Sequence, residues 1–200
     1  LDSNTILLGR PKETTRMVEF LHVVNRLARI NKSVIIGKID PEFVATEHEG
    51  SAIHVWWGGL QYNSDLMLLL AHLLTRNREW RDAKIKVLSV ASNELMKANT
   101  ERYLRQLIPA IRISAEPVVM LHFKDQTIRE IIHKESAEAD IVFLGLDPPE
   151  RDDDMEPYAQ RLLELSEPLR TVFFVKNSTL FVGKLVQTAE ESGTPVVNNR

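Results

Sequence analysis

Short apolar runs alternate with longer stretches of helical periodicity almost from end to end of the chain. Thr5–Leu8 is apolar and closes at Gly9-Arg10-Pro11. Met17, Phe20, Leu21, Val24, Leu27 and Ala28 then recur at the three-four spacing of one helix face, with Thr14 or Thr15 as cap. Ser33–Ile39 reads as a buried strand. Asp40-Pro41 opens a polar connection through Thr46-Glu47-His48-Glu49-Gly50 that reads as a linker or loop.

A stronger series follows. Strands are predicted at Ile53–Trp57, Ile85–Val90, Val118–His122, Ile141–Leu146 and Thr171–Val175. Between them lie helices at Ser64–Arg76, capped by Asn63 or Ser64, and at Asn93–Ile108, stopped by Pro109. Two more span Thr127–Glu138, where Thr127 and Glu130 have capping-box spacing, and Pro157–Leu165. Phe181–Val186 is a short edge-strand candidate before a polar tail. Strands that are near-continuous apolar runs belong to a sheet covered on both faces. The expected fold is therefore α/β: a doubly wound, mainly parallel, Rossmann-like sheet with helices on both faces. Residues 1–50 form a βαβ segment that extends this sheet or ends a preceding subdomain, 51–186 the main domain, and 187–200 the tail.

Composition narrows the chemistry. With 200 residues and 44% hydrophobic content the chain can bury a core without staples. It has no cysteine, which removes disulfides, thiolate metal sites and a cysteine nucleophile. A formal net charge of -3 with interspersed signs gives no electrostatic footprint for nucleic acid. No run reaches the roughly 18 to 20 apolar residues that span a bilayer. The chain opens on Leu1 without a signal segment and reads as a piece of something longer.

In a doubly wound sheet the ligand crevice lies beyond the strand C-termini, where strand order reverses. Gly58-Gly59 follows Trp57 there, but no G-x-G-x-x-G or G-x-x-x-x-G-K-[ST] run is present, and a turn accounts for the pair. The segment after Leu146 offers Pro148 and Pro149, which lack N–H donors, and carboxylates that repel phosphate. Asp152-Asp153-Asp154 lacks the spacing of a calcium loop and reads as a solvated loop. The six histidines include no H-x-x-x-H or H-E-x-x-H pair; His54 and His122, inside strands, read as hydrogen-bonded structural residues. No G-x-S-x-G elbow exists. No catalytic, cofactor or metal residue is nominated. The one local charge asymmetry is Arg76, Arg78, Arg81, Lys84 and Lys86, either a solvated helix end or a contact for an acidic partner segment or anionic headgroups.

Trp56 and Trp57 point to opposite faces of their strand, so each packs beneath a different helix layer. The helix around Leu66–Leu74, including Leu68, Leu69 and Leu73, is apolar around most of its circumference, as in a deeply buried helix or one shared with a partner. The stretch IHVWWGGLQYNSDLMLLLAHLLTRNREWRDAKIKVLSV, Ile53 to Val90, resembles the cytoplasmic C-terminal tail of the cation-chloride cotransporters. In that family a strand ending V-W-W leads through Gly-Gly into an apolar helix ending L-L, then a charged stretch with Trp and a K-[IL]-[KR]-V strand. Ala137–Leu146 is similar to the family's A-A-L-V-V-[IM]-S-L-P strand, and Leu165-Ser166-Glu167 before Thr171–Lys176 to its L-S-E-G-L-P-P-V-L-L-V-R ending. The likeness runs from Asn31 to Asn177. One departure is that Gly58 follows Trp57 directly, where the family commonly has acidic residues.

The resemblance implies a universal-stress-protein-like fold and a non-catalytic regulatory domain of prokaryotic type, on the cytoplasmic side of the plasma membrane. It implies a homodimer attached to the transporter's own membrane domain, which carries the ion sites, with no cofactor, nucleic acid or small-molecule substrate on this segment. Trp56, Trp57, Gly58, Gly59, Leu68, Leu69 and Leu73 are its motif and packing positions. The alternative is a nucleotide-binding stress-protein-like module, although the G-x₂-G-x₉-G-[ST] loop of the ATP-holding members is missing from Gly145–Met155.

Overall fold

A computed structural model describes residues 4–41, 51–58, 61–122 and 125–178. The apolar runs become seven strands: β1 (Thr5–Gly9), β2 (Ser33–Lys38), β3 (Ala52–Trp56), β4 (Lys84–Ala91), β5 (Ala115–Leu121), β6 (Ile141–Gly145) and β7 (Thr171–Lys176). The periodic stretches become α1 (Thr14–Arg29), α2 (Gln61–Thr75), α3 (Glu94–Ala110), α4 (Ile128–Glu135) and α5 (Met155–Ser166).

The strands form one sheet in the order β1-β2-β7-β6-β3-β4-β5. From β7 to β5 every neighbouring pair is parallel. Counted from β3, the order is third, second, first, fourth, fifth, that of a doubly wound sheet across its switch point. The expected α/β class and mainly parallel sheet are the observed ones. β1 and β2 run parallel to each other but join β7 antiparallel, so the sheet is mixed at that seam. At the seam Gly37 faces Phe173, and a Cβ on Gly37 would lie 2.9 Å from the Phe173 ring. That ring stacks on Phe143 of β6, centroids 5.4 Å apart.

Side-chain alternation divides the core in two. Val34, Ile36, Trp56, Leu88, Val142 and Phe174 meet α1, α4 and α5 on one face. Ile35, Ile53, Val55, Trp57, Val87 and Phe143 meet α2 and α3 on the other. Lys38 fastens β2 to the end of α5: its ammonium donates to the Ser166, Glu167 and Leu169 carbonyls at 3.0, 2.7 and 2.8 Å. Those are orphan acceptors of a helix C-terminus. Burial lowers the Lys38 pKa, and the Glu167 carboxylate opposes that shift.

Several element ends differ from expectation for identifiable reasons. Glu13, not Thr14 or Thr15, holds the N-cap position of α1 and makes no side-chain cap bond. Thr14 instead donates to Gln160 on α5 at 2.7 Å. Pro109 does not stop α3 but sits in its last turn, one residue before the end. The chain leaves through Arg112 at φ 57, with Ile113 N–H donating to Ile108 O and Arg112 N–H to Pro109 O, a Schellman ending. β5 starts earlier than expected and accommodates Pro117 because it is an edge strand. α4 ends at Glu135, short of Glu138, and its expected capping box between Thr127 and Glu130 is present. α5 begins at Met155, with Pro157 in a first turn that has no N–H bonds to lose. The loop Thr46–Gly50, Gly59, the edge-strand candidate Phe181–Val186 and the tail lie outside the described residues.

Candidate functional site

Strand order reverses between β3 and β6, and beyond their C-terminal ends lies a cavity of about 330 Å³. Trp56, Trp57, Met67, Ile132, Leu162 and Phe174 line it, so its walls are apolar, with Gly58, Asn63, Ser64 and Gly145 as its polar or open positions. This is where a doubly wound fold would hold a nucleotide. Here the chain's own side chains occupy the polar groups. Asn63, inside the first turn of α2 rather than capping it, donates to Leu146 O at 3.0 Å and accepts from Asn177 N–H at 2.8 Å. The Asn177 side chain in turn accepts from Ser33 at 3.1 Å. Asp147 N–H, a phosphate donor in other folds, instead donates to the Tyr158 hydroxyl at 3.0 Å. The Asp147 carboxylate pairs with Lys176 at 2.6 Å, so the nearest cation is also engaged.

Below the crevice floor lies a buried polar chain. Trp56 Nε1–H donates to Ser136 Oγ at 3.0 Å, and Ser136 Oγ lies 3.0 Å from His54 Nδ1. Ser136 is fully buried and His54 nearly so. With its oxygen accepting from Trp56, the Ser136 hydroxyl has its proton free for a neutral His54 Nδ1. Burial, aided by the Lys86 cation and opposed by Asp140, lowers the His54 pKa to about 4. The arrangement stabilises a neutral imidazole and ties β3 to the end of α4. His122, exposed beyond β5, bonds the Gln126 carbonyl at 2.9 Å.

At the opposite end of the sheet an open cleft of about 730 Å³ is rimmed by Arg76, Arg81, Lys84 and Arg112, with Asp82 and Glu116. Of the basic residues singled out from sequence, three thus share one cleft; Arg78 lies in the 3-10 turn leading to buried Trp80, and Lys86 faces His54. Arg112, far along the chain, joins them and carried no sequence signal. Among the described residues none of the four rim cations is in an ion pair.

The motif positions divide between core and surface. Trp56 and Trp57 are buried in different cores, Gly58 meets open space, and Gly59 lies outside the described residues. Leu68 is buried and Leu69 half-buried. Leu73 departs from the packing role expected of it: 55% exposed, it lies on the side of α2 away from the sheet.

Strand order and helices on both faces define a doubly wound α/β domain, and polar groups described at its crevice are engaged within the chain. Residues 22–129 match the family model Solute carrier family 12, and the chain belongs to that family. Among solved structures it is similar to the cytoplasmic domain of a prokaryotic cation chloride cotransporter, with TM-score 0.63 and 18% identity over 87% of this chain. A universal stress protein from Archaeoglobus fulgidus aligns with TM-score 0.55 and 15% identity, also over 87% of the chain. The chain spans 66% of the first and 61% of the second. No helix of the described residues is long and apolar enough to cross a membrane.

Proposed function

We propose that this chain is the cytoplasmic regulatory and dimerisation domain of a cation-chloride cotransporter and performs no catalysis itself. Its partners are a second copy and the membrane domain of the same transporter, which carries the coupled ions. Residues 51–186 form the main regulatory domain, preceded by the β1–α1–β2 segment within 1–50 and followed by a tail at 187–200. The observation that carries the reading is membership of Solute carrier family 12, supported by a crevice where Asn63 and the Asp147 N–H are bonded within the chain. Among the described residues Asn63 and the Asp147 N–H, which a phosphate would need as donors, are already engaged within the chain. The basic rim of Arg76, Arg81 and Lys84, flanked by Arg78 and Lys86, is suited to an acidic contact elsewhere in the transporter. Light scattering of the purified chain from low to high micromolar concentration tests the assembly role: a dimer is expected, and a monomer throughout would overturn it. Calorimetry with ATP, ADP and AMP separates the nucleotide-binding alternative, which requires saturable micromolar heat where none is expected.

A further inference from the structure

We infer that the outward face of α2 is the surface through which two copies of this chain pair, the helices antiparallel about a two-fold axis. The inference rests on the dimer reading above and adds the surface and its orientation. Ser64, Met67, Leu68 and Ala71 turn inward and are buried. Leu69 and Leu73, four apart, lie on the outer side, the first half-buried and the second exposed, while Leu66 packs partly against the core. A helix that covers a sheet with one face carries polar residues on the other. α2 carries leucine on both, so one sheet does not account for its composition. α3, the second helix of this layer, adds exposed Leu95 and Met96 in its first turn.

Charge identifies the occupant as a second copy. Asp65, near the start of α2, and Arg76, the first residue past its end, stand about three turns or roughly 16 Å apart along the axis, which sets them near the same flank of the leucine stripe. Asp65 is half-buried, and burial raises its carboxyl pKa. Among the described residues neither its carboxylate nor the Arg76 guanidinium makes a hydrogen bond or ion pair. A two-fold contact must be self-complementary. In a parallel pair Asp65 would lie level with Asp65 and Arg76 with Arg76. In an antiparallel pair centred between them, residues on one flank of one helix meet the same flank of the other, and each Asp65 reaches the Arg76 of the second copy. The leucine stripes then close on each other between two ion pairs.

Sedimentation velocity of the whole chain tests this with Asp65→Lys, Arg76→Glu and their mixture. Each variant alone places like charges at both contacts, so its dimer should weaken by about tenfold or more. Mixed in equal amounts, the two should form a heterodimer near wild-type affinity, because every contact then joins opposite charges. Leu73→Glu, at an exposed position, should weaken the dimer while the far-ultraviolet circular dichroism spectrum stays that of the wild type. A wild-type dimer that Leu73→Glu leaves intact, or whose charge variants stay dissociated when mixed, overturns the α2 surface and leaves the dimer reading standing. A wild-type monomer overturns both.

Discussion

Acidification should unfasten this domain through one buried imidazole. His54 is 5% exposed on β3, with its Nδ1 against Ser136 and the Lys86 cation nearby. Its folded pKa of about 4 lies below the ordinary value of 6.5. The unfolded chain therefore binds a proton between those values that the folded chain refuses. By linkage, the stability His54 contributes is fully present above about pH 6.5 and is lost as pH falls toward about 4. At about 1.4 kcal/mol per pH unit the depression is worth about 3 kcal/mol at most, and partial screening by solvent brings it to about 2 kcal/mol. That is a large share of the roughly 5 to 15 kcal/mol that holds a domain together. Carboxylates also titrate in this range, so the comparison must be with His54→Gln, which keeps a polar side chain and removes the titration. Urea unfolding of both proteins between pH 7.5 and 4.5 should show the wild-type advantage shrinking by about 2 kcal/mol as pH falls. Parallel stability curves, or an imidazole pKa at or above about 6 by NMR titration, would refute the reasoning.

Other perturbations have defined signs. Ser136→Ala strands the Trp56 indole N–H and His54 Nδ1, and should cost about 2 to 3 kcal/mol in chemical denaturation. Lys38→Met removes three bonds to the end of α5 and should cost about 2 to 4 kcal/mol, read as a fall in urea midpoint at unchanged slope. Gly37→Ala drives a methyl into the Phe173 ring at 2.9 Å and should cost about 1 to 3 kcal/mol, with hydrogen exchange rising first at the β2–β7 seam. Arg112→Gly relieves a positive φ of 57 and should raise the melting temperature, by about 1 kcal/mol of stability or less.

Much of the fold is legible because burial writes itself into the local pattern. Near-continuous apolar runs such as Ile141–Leu144 mark strands covered on both sides, and the Thr127–Glu130 spacing marks the start of α4. The antiparallel seam is not legible, because Val34–Ile36 is apolar on both faces whichever way its neighbour runs. Asn63 shows how a tertiary contact overrides a local signal: at a helix start it resembles a cap, yet its amide bridges Leu146 and Asn177, distant in sequence. Arg112 joins the basic cleft only because the end of α3 returns to the sheet beside β4, information carried by no motif. Gly58, directly after Trp57, lines the crevice. The hydrogen bonds there, of Asn63 and of the Asp147 N–H to Tyr158, are tertiary contacts that no local pattern displays.

The regulatory role proposed for this domain separates governing a transporter from carrying out its transport. Chloride-dependent cation uptake by the full-length carrier, measured beside the same carrier lacking this domain, tests it most directly. The shortened carrier should still insert in the membrane and keep chloride-dependent uptake, at a changed rate and with weakened subunit association. Uptake and association both unchanged by the deletion would contradict it.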